Sequence, residues 1–273
     1  MQTADSAGAD TTDATAMRSP DAPNLPDIVT REEWLVARRH LLQREKALTR
    51  QRDQLSADRR RLPMVEILKS YEFEGPGGTA SLLDLFEGRR QLIVQHFMFD
   101  PTWDEGCPSC TGAADEMSDG LLEHLRSRDT SFAAVARAPY AKVSAYGAAR
   151  GWTFPFYSSS GTDFNHDFYA TLDESVTPMM VNFRTRDELE RPGNEKLRWL
   201  LESEQPSEQP GISCFLRHGA RVFHTYFTTG RGTEWLGGAY AFLDLTALGR
   251  QEDWEEPKGR VASPRGAVPS FEP

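Results

Sequence analysis

The sequence predicts an α/β fold, a sheet flanked by helices, with a helical extension at the N-terminus and an insertion before a C-terminal β-hairpin. Three observations carry this. Leu92-Ile-Val94 with Phe97-Met-Phe99 is a mostly apolar run of strand length, of the kind found in strands covered on both faces, and Phe132-Ala-Ala-Val-Ala136 reads as the next strand. Stretches of helical periodicity follow each run, and strand, helix, strand, helix is the rhythm of a sheet with helices packed on it. Ile212 to Arg217 and Arg221 to Phe227, joined at His218-Gly219, read as a hairpin.

In chain order, residues 1–26 are rich in Ala, Asp, Thr, Ser and Pro and nearly free of large apolar side chains. Burial cannot offset the entropy of ordering such a segment, so a disordered tail is expected. An N-terminal helix follows over residues 27–63. Thr30 and Glu33 form the pattern in which hydroxyl and carboxylate each satisfy an orphan backbone N–H, and Pro63 stops the helix. Trp34, Leu41, Leu48, Leu55 and Leu62 recur every seven residues. Three positions on stand Ala37, Arg44, Gln51 and Asp58, so the stripe is too thin for a full coiled-coil seam. It packs either on its own domain or across a homodimer.

Residues 64–256 are expected to form one α/β domain and 257–273 a C-terminal tail. Tyr71 to Glu74 runs as a strand into a turn at Gly75-Pro-Gly-Gly78, and Thr79 to Phe86 supplies a return strand and a helical turn. After the first buried strand, a loop over residues 100–106 leads to Cys107. Beyond it Ala114, Met117, Leu121 and Leu125 recur at helical spacing, apart from Asp115, Glu116, Asp119 and Glu123, which predicts one amphipathic helix. Pro139 opens a second helix and Gly151 closes it; Phe154 to Tyr157 makes a short edge strand. Residues 170–210 interrupt the alternation with a single helix, Asn194 to Leu201, and a polar, Pro-containing stretch. An interval this long reads as a functional lid or a mobile insertion. A glycine-punctuated helix from Glu234 to Leu248 follows the hairpin.

The totals narrow the function classes. The net charge of −10 argues against a nucleic-acid partner. It is unevenly spread: residues 31–62 carry ten Lys/Arg against five Asp/Glu, residues 63–273 twenty against thirty-one. No run approaches the roughly 18 apolar residues of a membrane span, and no apolar segment follows a basic start as in a secretory signal. A cytoplasmic protein without a membrane partner is expected.

Only three cysteines are present, and two form Cys107-Pro-Ser-Cys110. In a reducing compartment such a pair points to redox or metal work, not to structural bridging. Between a buried strand and an amphipathic helix, the pair falls at a helix N-terminus, where unpaired N–H groups and the dipole lower a thiol pKa. Cys107, at the mouth, is the expected nucleophile, and Cys110, one turn inward, the resolving thiol. Pro108 suits the first helical turn because its missing N–H is one of the orphans. Ser109 spaces the thiols for a disulfide, and Trp103, in the loop ahead, is a candidate to shield it from water. No bound cofactor is expected, and the partner is a thiol or disulfide on a protein or small molecule.

Two alternatives remain open. A thiol peroxidase uses the same pair, with Cys110 resolving a sulfenic acid on Cys107. A metal-binding or interaction module needs further ligands, from Cys214, His96, His218 or His224, but no second paired-ligand motif occurs and no metal set is expected. Cys214 and His96 read as core residues, His218 as a turn residue, and His224 as alternating with the apolar face of its strand.

With these elements in place the chain resembles the thioredoxin superfamily. The closer likeness is to a bacterial family catalogued as a domain of unknown function and described as predicted dithiol–disulfide oxidoreductases. It rests on Tyr71-Glu-Phe-Glu-Gly-Pro76, Gln95-His-Phe-Met-Phe-Asp-Pro101, Gly106-Cys-Pro-Ser-Cys110, and Gly230-Arg-Gly-Thr233 through Leu243-Asp-Leu245, in order, across about residues 27–256. The resemblance implies a thioredoxin-like fold with the cysteine pair as its redox centre and supplies no substrate. Thioredoxins carry tryptophan directly before the first cysteine, where this chain has Gly106. They also place a cis-proline at the start of the hairpin strand; the nearest candidate is Pro210. The peroxiredoxin branch has threonine three residues before its reactive cysteine, where this chain has Asp104, so the resemblance favours the oxidoreductase.

Overall fold

The computed structural model describes residues 25–264 except 195, 196, 239, 240, 242, 249 and 260. The expected N-terminal tail therefore lies outside the described residues but for Leu25 and Pro26, as does the end of the C-terminal tail.

Helix α1 spans Arg31–Arg59 and opens on the capping box read from the sequence. The Glu33 carboxylate accepts the Thr30 N–H at 2.9 Å, and the Thr30 hydroxyl accepts the Glu33 N–H at 3.3 Å. It ends a little before Pro63, in turns where Arg61 and Leu62 donate to the carbonyls of Asp58 and Arg59. None of its residues is buried.

Eight strands build the main sheet: β1 (Val65–Glu66), β2 (Glu72–Gly75), β3 (Gly78–Ser81), β4 (Gln91–His96), β5 (Thr130–Ala136), β6 (Phe156–Ser158), β7 (Gly211–His218) and β8 (Arg221–Thr228). Their order is β1-β8-β7-β4-β5-β6-β2-β3. The strands β4, β5 and β6 run parallel, and β7 joins β4 antiparallel with Gly211 opposite His96. Gly78 turns the β2–β3 hairpin at φ +94°, a conformation that suits glycine. β6 is not an edge strand as expected, because the N-terminal hairpin covers its outer side, with Glu74 opposite Ser158.

Every residue of β5 is buried, so the strand is covered on both faces. Its alternation divides two cores. Ala133 and Val135 join Leu92, Val94, Phe73, Phe86, Phe164 and Phe215 on one face. Phe132, Ala134 and Ala136 join Phe97, Phe99, Cys110, Leu122 and Phe156 on the other. The second face is covered by α2 (Pro108–Asp115), α3 (Asp119–Arg126) and α4 (Tyr140–Arg150), and a short α5 (Phe164–Asp167) covers the first. The single helix expected after Cys107 is thus two. Ser118 starts afresh by accepting the Leu121 N–H, and the change of phase buries Leu122 while Leu121 stays exposed.

The insertion holds more structure than its composition suggests. Thr171–Leu172 pairs antiparallel with Ser207–Glu208 and closes a unit containing a hairpin (Met180–Val181 with Arg184–Thr185) and a capped helical turn, Arg186–Glu190. Its core is Leu172, Met179, Val181, Leu189 and Leu200. Of the helix expected over residues 194–201, Trp199–Glu202 is helical and residues 195 and 196 lie outside the described residues. Beyond β8, Gly230–Leu236 forms 3-10 turns where a helix from Glu234 was expected, halted by Gly237 and Gly238 at positive φ. No helix among the described residues is long and apolar enough to cross a membrane.

His96 is a core residue, as its place in the first strand implies. It stacks on Phe164 at 5.5 Å and meets Ser213 Oγ through Nε2 at 2.8 Å; Nδ1 has no partner among the described residues. Burial holds its pKa down to about 3, with repulsion from His224 adding to the effect. A folded value below the unfolded one makes the neutral ring's contribution complete above about pH 6.5 and eroded by about 1.4 kcal/mol per unit as pH falls towards 3. His166 and His224 are lowered as well, chiefly by burial. Urea unfolding is therefore expected to show about 2–3 kcal/mol less stability at about pH 4.5 than at neutrality. His96→Gln should flatten that slope; a wild-type value unchanged with pH would refute the neutral buried ring.

Candidate active site

The loop after β4 returns the chain to the sheet at Met98, whose carbonyl accepts the Cys107 N–H at 2.9 Å. That bond sets Cys107 as the N-cap of α2, with Pro108 the first helical residue. Cys107 is half-buried and Cys110, one turn inward, is buried; both thiols are free. The Cys110 thiol donates to the Cys107 sulfur, the largest influence lowering the Cys107 pKa to about 6. The backbone N–H groups of Cys110 and Ser109 and the Ser109 hydroxyl act in the same direction, against burial. Cys110 is pushed well above the ordinary thiol range, first by donating to Cys107 and then by burial, with the charges of Cys107 and Glu208 adding to it. The pair is thus polarised: an accessible sulfur poised to ionise over a sheltered one that holds its proton.

Gly106 fits a close approach of rings. A Cβ built there falls 2.4 Å from Phe97 Cε1 and 3.3 Å from Tyr146 Cε1. Both rings belong to an aromatic group with Trp152 and Phe99. Tyr146 also reaches the cysteines through Thr111, whose hydroxyl lies 2.9 Å from Tyr146 Oη and donates to the Cys107 carbonyl at 2.9 Å. The tryptophan that thioredoxins carry here has no room. Gly106→Ala is expected to cost about 1–3 kcal/mol of stability by forcing those rings aside. A thermal midpoint unchanged in the variant would show that the rings yield freely.

A buried charge network lies within electrostatic reach of Cys110. Arg137 Nε donates to Glu208 Oε1 at 2.7 Å, and its Nη2 donates to Asp100 Oδ2. Thr171 Oγ1 donates to Glu208 Oε2 at 3.1 Å, while the Thr102 N–H and hydroxyl hold the other Asp100 oxygen. The Glu208 side chain is 1% exposed. Burial raises its pKa, and the Arg137 charge and hydrogen bond oppose the rise. Glu208 comes from the last strand of the insertion, Asp100 from the loop before Cys107, and Arg137 from the residue after β5. The insertion is therefore fastened to the site.

A family model described as "Bacterial protein of unknown function (DUF899)" matches residues 23–265. The chain belongs to this family. No curated protein matches it. Solved structures similar to it include a cysteine-to-serine mutant of PrxQ from Xylella fastidiosa, at 12% identity over 61% of this chain and 84% of that one, with a TM-score of 0.36. Another is the peroxidoxin BcpB from Mycobacterium tuberculosis, at 11% identity over 62% and 85%, with a TM-score of 0.39. A third is a putative protein disulfide isomerase from Bacteroides thetaiotaomicron, at 21% identity over 38% and 65%, with a TM-score of 0.29.

In this DUF899 member the residues expected at the site separate into two groups. Cys107, Pro108, Ser109 and Cys110 come together as the motif implies. Trp103 stands 37% exposed in the loop ahead of the cysteines. The bond before Pro210 is trans; among the described residues the cis prolyl bonds precede Pro206 and Pro257. Pro210 instead anchors the start of β7, its carbonyl accepting the Thr229 hydroxyl. Cys214 lies on β7 opposite Ile93, and burial raises its pKa to about 11. His218 is exposed at the hairpin turn. Among the described residues no three His, Cys, Asp or Glu side chains are grouped to hold a metal.

Proposed function

We propose that this protein is a dithiol–disulfide oxidoreductase in which Cys107 attacks, Cys110 resolves and Glu208 takes up the Cys110 proton. The polarised thiol pair carries the reading: one sulfur with its pKa lowered to about 6 at a helix mouth, above a buried sulfur with its pKa raised. The Cys107 thiolate attacks one sulfur of a substrate disulfide, forming a mixed disulfide and releasing the first substrate thiolate. Cys110 passes its proton to the Glu208 carboxylate and attacks the Cys107 sulfur. An internal disulfide forms, the second substrate thiolate leaves, and two electrons have passed from the cysteine pair to the substrate. An external dithiol returns the pair to the reduced state by the reverse exchange.

Trapping tests this directly. Reduced Cys110→Ser protein mixed with a small aromatic disulfide should accumulate one mixed disulfide, seen as a fixed mass increase on Cys107, and Cys107→Ser should accumulate none. Wild type should pass through that adduct to an internal Cys107–Cys110 disulfide. Stopped-flow mixing with hydrogen peroxide separates the peroxidase alternative. Fast oxidation by peroxide with sluggish exchange against disulfides would reassign the site.

A further inference from the structure

We infer that α1 is a dimer arm: its exposed leucine face lies on the acidic body of a second copy of this chain. Trp34, Leu41, Leu48 and Leu55 stand between 45% and 57% exposed along a helix with no buried residue. Large apolar side chains repeating every seven positions line one side of the helix, beyond the scattered apolarity normal for a surface. The ring contacts of α1 with the rest of the chain sit near its C-terminal end. Arg52 lies over Trp235 at 4.5 Å and Arg59 over Tyr226 at 4.7 Å. Ahead of Arg52 roughly twenty residues, or roughly 30 Å of helix, extend further. There the ion pair of Arg38 with Glu45 and the Arg31–Trp34 ring contact are both internal to the helix.

Charge decides between the surfaces that a second copy offers. Two α1 helices laid antiparallel would match their stripes, Trp34 facing Leu55 and Leu41 facing Leu48. They would also bring together two segments that each carry ten cationic residues against five acidic ones. Residues 63–273 carry the opposite excess, thirty-one acidic against twenty basic. Trp235, which Arg52 of α1 meets, is exposed, as are Leu236 and Leu245, in a stretch that also holds Asp253 and two acids paired within it, Asp244 with Arg250 and Glu256 with Lys258. An apolar stripe on a helix with an excess of cations fits an apolar patch on a body with an excess of acids. Two arms exchanged across a two-fold axis need to bury on the order of 1,200 Å², the lower end of specific interfaces.

Sedimentation velocity on the full chain tests this, from about 1 to about 100 µM protein, in about 50 mM and about 500 mM salt. A dimer is expected at low salt, with its dissociation constant raised at least about tenfold at high salt. Leu41→Glu with Leu48→Glu should leave a monomer with unchanged helical circular dichroism and an unchanged thiol pH profile. A monomer under every condition overturns the inference, since the stripe is then covered by something else or by nothing. A dimer indifferent to the double substitution overturns it too. One that tightens with salt points to apolar helix-on-helix pairing and likewise overturns the arm-on-body arrangement.

Discussion

Arg137→Ala is expected to lower the unfolding free energy by about 3–5 kcal/mol at neutral pH, the cost of breaking a buried ion pair by removing one partner. Arg137 is the only cation bonded to both Asp100 and Glu208 among the described residues. Those side chains are 12% and 1% exposed, so water cannot replace the guanidinium. Arginine suits the place because two of its N–H groups diverge to two carboxylates in fixed geometry, which a lysine ammonium cannot reproduce. The deficit should shrink as pH falls, because burial already raises the Glu208 pKa and a protonated Glu208 no longer needs a cation. Pairing Arg137→Met with Glu208→Gln should recover part of the loss. Chemical denaturation of the three proteins at about pH 7 and about pH 5 measures all of this. A loss under about 1 kcal/mol for Arg137→Ala would mean the network is hydrated and contributes as little as a surface pair.

The same network marks where the sequence stops being legible. The cysteine pair could be placed from local pattern alone: an apolar strand, a loop, a proline at the first helical position and an apolar periodicity beyond. The sheet could be read because Phe132 to Ala136 is apolar on both faces. Arg137 left a faint signal, as a charge directly after a fully apolar strand. Glu208 left none, since it stands in a polar stretch indistinguishable from solvated loop. It acquires meaning only when Thr171–Leu172, more than thirty residues upstream, pairs with its strand. The break between α2 and α3 was hidden for a related reason. Met117, Leu121 and Leu125 keep helical spacing whether or not Ser118 caps a new helix, and only burial of Leu122 reveals the change of phase. Pro210 stands at roughly the distance from a hairpin that a cis-proline takes, but isomer state is decided by contacts that chain spacing does not encode. Gly106 could be seen as a departure from thioredoxins, though its cause, the Phe97 and Tyr146 rings, lies in residues distant along the chain.

Glu208→Gln is expected to slow the second step of exchange by about 100-fold while leaving the first step intact, the low end of what a positioned proton acceptor supplies. Cys107 ionises near pH 6 without help from Glu208, so its attack on an external disulfide should be untouched. Cys110 is different. It is buried and its pKa is raised well above the ordinary range, so at neutral pH it is a thiol shut off from water. Glu208 is the carboxylate whose charge reaches that thiol, and burial raises its own pKa, which narrows the gap the proton must cross. Glutamine can keep both hydrogen bonds of the site, its carbonyl accepting from Arg137 Nε and its amide donating to Thr171 Oγ1. The substitution therefore removes basicity with little loss of packing. In single-turnover mixing, release of the first leaving thiol should be as fast in the variant as in wild type, and release of the second should lag. The lag should shorten about tenfold per pH unit, as hydroxide takes over from the missing carboxylate. If both thiols leave the variant at wild-type rates, Cys110 loses its proton by another route, and Glu208 serves only to fasten the insertion to Arg137.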